Sequence, residues 1–486
     1  MSSLFLQWNP ASSPVLIVAM GSAAVLVLDA LLGVFPRSAR GTRRRGILLM
    51  VLATALIMAA VSSVGVSESM RSGHRLTVAG MTTIGLLAIP SLWMSSTYLM
   101  AARLQTALYV ALFLASLCGA FMAMNSSQLV LTWLGLEFMA LPCAFLVGFD
   151  RDRPIGREAK TKLRLATTLP SAVLLLGIAL VFFATGQLDY DGIRMSLEMN
   201  SPLDAVALTL LLAGLLLKCG LFPFHQWMPD IDEISPLSVM IFNSACMRLA
   251  SMIVLVMIVT QLIPDPITSV TTLFAILAMS GTVIGGLMAI AQSSIKRLIS
   301  WAGVGQGGIL LLAFAADSSA SYGALLFYLI AIGLATLGAL SVILVFNDGG
   351  RRIERAQDLA GLGKTNPVLA ALLTLFLASL SGLPITAGFW AKWFLAWSAI
   401  EAGQGFIVLV VLIASVLILY AYLRLVSVLY MRDSLISIEM EPSTSELAVL
   451  LVCAGLTLWM GLMPEPILTS FTGGALEGLR ERVFIF

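Results

Sequence analysis

The chain has 486 residues, 59% of them hydrophobic and 11% charged, with a formal net charge of +2. Soluble domains are about half apolar and about one quarter charged, so water is excluded as the main solvent. Two histidines, His74 and His225, and five cysteines without C-x-x-C spacing argue against a haem, an iron–sulfur cluster or a zinc site, and no nucleic acid is expected as a partner.

A helix crosses the hydrocarbon core with about 20 mostly apolar residues, and fourteen such segments follow one another along the sequence. The first, α1 (12–35), lacks the basic n-region and A-x-A site of a cleaved signal and reads as a retained helix. After α2 (46–66), α3 (77–98) and α4 (107–124), α5 (127–149) carries Glu137 inside LTWLGLEFMALP. The stretch REAKTKL, with Lys162, leads into α6 (165–186). Then α7 (202–224) places Lys218 before Pro223 and His225 in LLLKCGLFPFHQW, and Asp230, Asp232 and Glu233 follow as a stretch read as solvated. Arg248 lies in α8 (236–262), in FNSACMRLASM.

Beyond α9 (268–291), α10 (298–315) contains GVGQGG, with Gln306 among the glycines of 303–308. No strand precedes it, so a dinucleotide loop is rejected in favour of small residues that let membrane helices approach closely. After α11 (320–346), α12 (366–396) holds Gly382, Pro384 and Gly388 ahead of Lys392 in AGFWAKWFL. Arg424, near one end of α13 (405–427), is placed to snorkel to the interface, and α14 (446–464) completes an all-α polytopic membrane protein. The longest connectors, such as 347–366, are too short for a soluble domain.

A charge near the centre of a membrane helix costs about 2.5–3.5 kcal/mol on insertion scales, so such residues are usually paired and mark ion or proton pathways. Glu137, Lys218, Arg248 and Lys392 form such a set with alternating signs. A lysine exchanges its proton readily when its partner moves, whereas a guanidinium stays protonated, so Lys218 reads as a carrier, Glu137 as its modulator and Arg248 as a fixed field. The alternative for each is a charge that pins neighbouring helices. His225 is either a relay to the next helix or a cap on a broken one.

Prolines and glycines at the lysines predict that α7 and α12 are discontinuous, and backbone opened inside a membrane must be buried in protein or line a cavity. An ordinary proline kink is the bland alternative. Helices five apart run in opposite directions, which fits two inverted five-helix repeats and a transport site at paired interruptions. The expected organisation is three helices in 1–106, a first repeat (α4–α8) in 107–262, a second (α9–α13) in 268–427, and α14 with a tail in 428–486. Basic residues cluster after odd-numbered helices (Arg43, Arg44 and Arg45; Arg151 and Arg153; Arg351 and Arg352 among them), with few opposite (Arg71, Arg75, Arg194, Arg480, Arg482). The positive-inside bias therefore places both termini on the outer, periplasmic side of a bacterial inner membrane or equivalent coupling membrane.

LGLEFMALP, KCGLFPFHQWMPDIDEISP, SSIKRLISWAGVG and AQDLAGLGKTNPVLAALLTLFLASLSGLPITAGFWAKW, in that order, resemble the antiporter-like membrane subunits of respiratory complex I, most of all the subunit N (subunit 2) type. The resemblance covers α4 to α13. It implies that Glu137, Lys218 and Lys392 match the family's glutamate of helix five and lysines of helices seven and twelve, and that Lys162 matches a basic residue at the start of helix six. It also implies proton translocation coupled to quinone reduction elsewhere, with no cofactor in this chain and flavin, iron–sulfur clusters and quinone in partner subunits.

Three departures stand out: Arg248 replaces a lysine, Gln306 a histidine, and PDIDEISP loses the tyrosine and glycine of the family's P-D-x-Y-x-G-A-P. A related subunit of a membrane-bound hydrogenase or of a multisubunit cation/proton antiporter, and a scaffold subunit with a dead path, remain open. Neighbouring genes discriminate the first two. The expected surroundings are the lipid bilayer and the other membrane and peripheral subunits of a complex I-type assembly, outside which the chain is expected to be unstable.

Overall fold

The computed structural model describes residues 13–32, 39–66, 74–101, 105–149, 154–197, 201–263, 268–348, 353–432 and 442–472. Among them the chain is helical, with two isolated β-bridges. The expected helices are present as α1 (Ser13–Leu32), α2 (Ala39–Val66), α3 (His74–Ala101), α4 (Thr106–Met124), α5 (Leu129–Val147), α6 (Pro154–Thr185), α8 (Leu237–Leu262), α9 (Thr268–Ala291), α10 (Ile295–Ala316), α11 (Ser319–Asp348), α13 (Gly405–Met431) and α14 (Thr444–Leu462). Two are broken, as expected: α7 into α7a (Pro202–Cys219) and α7b (Trp227–Ile234), and α12 into α12a (Pro367–Ser381) and α12b (Ala387–Glu401).

Several helices outrun their apolar runs. Pro154, pre-set for a first helical turn, starts α6 well before residue 165 and makes the REAKTKL stretch helical. Arg43, Arg44 and Arg45 likewise belong to α2 rather than to a loop. Polar residues carry a helix beyond the hydrocarbon as easily as apolar ones, so hydropathy alone sets the ends too early. Arg71, Arg151, Arg153, Arg351, Arg352, Arg480 and Arg482, on which the orientation partly rests, lie outside the described residues.

Most of α8, α10 and α11 is buried, while α2, α6, α13 and α14 turn broad apolar faces outward, with Leu165, Phe183, Phe406 and Ile413 all more than half exposed. Without a hydrophobic drive between helices in lipid, close packing must hold the bundle, and glycines supply it. A Cβ on Gly119 of α4 would lie 2.2 Å from the Met139 backbone of α5, and one on Gly285 of α9 would lie 2.3 Å from the Gly305 backbone of α10. The glycines of GVGQGG do what was expected of them: Gly305 and Gly308 meet α9, and Gly307 meets Leu221.

Contacts divide the chain into two compact units, residues 1–219 with 234–264 and residues 220–233 with 265–486. Each contains one β-bridge in the same place. Gln128, the residue before α5, pairs with Asp189 beyond α6, and Ser294, the residue before α10, pairs with Arg355 beyond α11. The hydrogen bonds share a register: Leu129 N–H to Leu188 O and Tyr190 N–H to Ser127 O in one, Ile295 N–H to Glu354 O and Ala356 N–H to Ser293 O in the other.

Candidate functional site

In the first unit, α7a ends at a glycine in the left-handed region, Gly220 (φ +65°), so Lys218 falls in the last helical turn. The partial negative charge of a helix C-terminus favours a cation there. Its amine donates to Glu137 Oε1 of α5 at 2.6 Å, and the Lys218 side chain is 3% exposed against 25% for Glu137. The same oxygen accepts from the Ser171 hydroxyl of α6, whose backbone carbonyl in turn accepts from Trp133 Nε1 at 3.2 Å. Three helices thus converge on one carboxylate oxygen.

The second unit solves a similar problem with backbone. Gly382 (φ +80°) ends α12a, and its N–H and that of Leu383 bond to Ser379 O and Ala378 O. The carbonyls of Leu380 and Ser381 are left for other donors, as at any helix end. Ser381 O takes the Lys392 ammonium at 2.6 Å, and Leu380 O takes Gln306 Nε2 from α10 at 3.2 Å. Gln306 also sits beside the Tyr422 hydroxyl of α13. Only glycine permits this proximity, since a Cβ on Gly382 would lie 2.7 Å from Lys392 Cδ. On the far side of the break Trp390 Nε1 bonds to Gly461 O of α14 at 2.8 Å.

Residues 126–418 match the model of the NADH:quinone oxidoreductase/Mrp antiporter transmembrane family. The chain belongs to this family. It is 30% identical over 476 residues to the NADH-quinone oxidoreductase subunit N of Paramagnetospirillum magneticum, covering 95% of this chain and 96% of that one. It is 27% identical over 489 residues to subunit N 2 of Rhizobium meliloti, covering 98% and 100%. A chain in a structure of respiratory complex I from Thermus thermophilus superposes with a TM-score of 0.76 at 26% identity, covering 94% of this chain and 98% of that one. A chain of the Mrp complex from a Dietzia species shares the fold, with a TM-score of 0.80 at 21% identity, covering 96% and 97%.

Not every residue expected to act in a family member of this kind is brought to the two lysines. Lys162 is exposed on α6, nine residues before Ser171, which at 1.5 Å per residue is about 13 Å along the axis. Arg248 is half-buried and follows a π-helical turn, Asn243–Met247, its N–H reaching back five residues to Asn243 O. Such turns concentrate at functional positions, and nothing in FNSACMRLASM announces one. His225 is buried, stacked on Phe222 at 5.5 Å and edge-on to Trp301 at 5.1 Å, beside the Pro223 backbone in the break.

One expectation needs correction, one is extended, and one residue is new. Asp232 is not solvated: it is 1% exposed and accepts from Ser300 Oγ of α10 at 2.7 Å, while Asp230 and Glu233 hold Arg297 at 3.2 and 3.0 Å. Arg424, expected to reach the interface, gives its guanidinium to Ile290 O and Gln292 O, capping the C-terminal end of α9. Ser171 went unnoticed, because a serine in an apolar helix usually bonds its own preceding turn, as Ser171 also does to Thr167 O.

Proposed function

We propose that the chain is a proton-translocating membrane-arm subunit of a complex I-type NADH (or other donor):quinone oxidoreductase, with Glu137, Lys218 and Lys392 as the groups that hold and pass protons. One observation carries the reading: both lysines place their ammonium groups beside breaks inside apolar spans, Lys218 from the last turn of α7a against a carboxylate and Lys392 from within α12b against a bare carbonyl at the end of α12a. The names of the relatives and the shared fold support the assembly. Electron transfer then belongs to partner subunits holding flavin, iron–sulfur clusters and quinone, and this chain supplies the path.

The chemistry follows from charge burial. Paired at 2.6 Å, Glu137 and Lys218 compensate each other; drawn apart in a medium of low dielectric, each uncompensated charge costs several kcal/mol, which the ammonium relieves by giving up a proton to the path and the carboxylate by taking one up. Quinone chemistry in the complex has only to move the helix ends that hold the charges. The two broken helices and the matching bridges support a reading as two repeats, α4–α8 and α9–α13, with both termini on the outer face by the loop charges. The Mrp relative, at 21% identity, speaks for the fold alone, and no observation favours an antiporter over a quinone-reductase assembly.

Proton pumping by vesicles containing the whole complex, with Lys218→Ala or Lys392→Ala, tests this beside electron-transfer rate and assembly level. Lost pumping and slowed turnover in an assembled complex are expected. Unchanged pumping and turnover would remove the lysines from the path and leave a scaffold.

A further inference from the structure

The break that positions Lys392 also opens a cavity. It lies between α12b and α13, has a volume of about 300 Å³, and is lined by Gly382, Lys392, Trp393, Trp397, Leu412 and Val416 among others. Trp393 and Trp397 are stacked at 6.2 Å and form an aromatic wall. At the mouth Trp393 is 42%, Leu412 40% and Val416 56% exposed, on the outward face of two membrane helices. The cavity is thus entered from the side, where hydrocarbon chains lie.

Lys392 is the one charged residue of the cavity's lining, beside the serines Ser381 and Ser415. One bond of its ammonium goes to Ser381 O, and among the described residues no carboxylate lies at ion-pair distance. An ammonium has three donors, and a buried cation is held best by an opposite charge. An apolar slot with one cation in its lining fits one kind of bilayer occupant. We propose that this cavity binds a single-chain amphiphile with a carboxylate headgroup, such as a free fatty acid, its carboxylate on Lys392 Nζ and its chain along Trp393, Trp397, Leu412 and Val416.

A neutral lipid leaves the charge unanswered, and a two-chain phospholipid exceeds the volume. Binding requires no assumption about proton transfer. Its consequence does rest on the proposed role of Lys392: a bound acid fixes the ammonium in place and slows pumping.

The test uses the assembled complex in vesicles, a photoactivatable palmitic acid, and its methyl ester. Labelling of α12b or α13 peptides is expected, competed by palmitate and about tenfold or more weaker for the ester, the effect of one charge-assisted hydrogen bond. Val416→Trp and, independently, Leu412→Trp fill the slot and should abolish labelling. Equal labelling by the ester, labelling that survives both substitutions, or no label on these helices overturns the site, the last result meaning that another subunit covers the face. Specific labelling without slowed pumping upholds the site and counts against the proton role of Lys392, so the two failures are distinguishable.

Discussion

The Glu137 carboxylate is where single side chains decide most. Glu137→Ala leaves a buried ammonium unanswered, and loss of one partner of such a pair costs about 3–5 kcal/mol; the account predicts lower assembly together with lost pumping. Ser171→Ala removes only the hydroxyl that shares Oε1, so assembly should hold while turnover falls several-fold, which paired blue-native gels and pumping rates would resolve. Equal loss of assembly in both variants would make the cluster purely structural. Glu137, Lys218 and Lys392 were legible because a charge in an apolar run is conspicuous at any resolution of reading. Ser171, and the burial of Asp232 by Ser300, were not, because hydroxyl contacts between helices depend on rotation about the helix axis, which hydropathy does not encode.

The broken helices are held from outside as well as by their own glycines. A Cβ on Gly461 of α14 would lie 2.1 Å from Ile385 O, at the residue that itself adopts φ +74°, a conformation a β-branched side chain takes only when its surroundings impose it. Gly461→Val should therefore misplace the α12 break and lower assembly, by an overpacking cost of about 1–3 kcal/mol. Gly455→Val on the same helix meets open space and should assemble normally. Similar yields of the two variants would show that α14 does not brace the break. Gln306→Leu leaves Leu380 O without its side-chain donor, costs about 1–3 kcal/mol, and should lower the thermal midpoint of the complex. The breaks were legible from Gly382, Pro384 and Pro223, and Pro154 marks the long start of α6 that hydropathy set too late, but the π turn before Arg248 was not legible, since it carries no residue signal of its own.

Across the whole molecule a few devices recur: a tight glycine crossing between the first two helices of each set, a bridge closing the loop beyond the third, and a broken helix with a lysine ammonium beside the break. Arg424 ties α13 to the end of α9, and Arg424→Gln should reduce assembly while leaving the pumping of assembled complex intact, an outcome that quantified complex levels would check. Fourteen apolar segments and two breaks could be counted from sequence; the matched bridges could not, because their partners are far apart in the chain and are joined through backbone groups, which every residue carries. The central claim is that the lysines exchange protons rather than merely brace helices. Lys218→Arg and Lys392→Arg separate these most directly, because guanidinium keeps the charge and its hydrogen bonds but does not give up the proton. The account predicts assembled complexes with pumping and coupled turnover lost; assembled complexes that pump at the parental rate would contradict it.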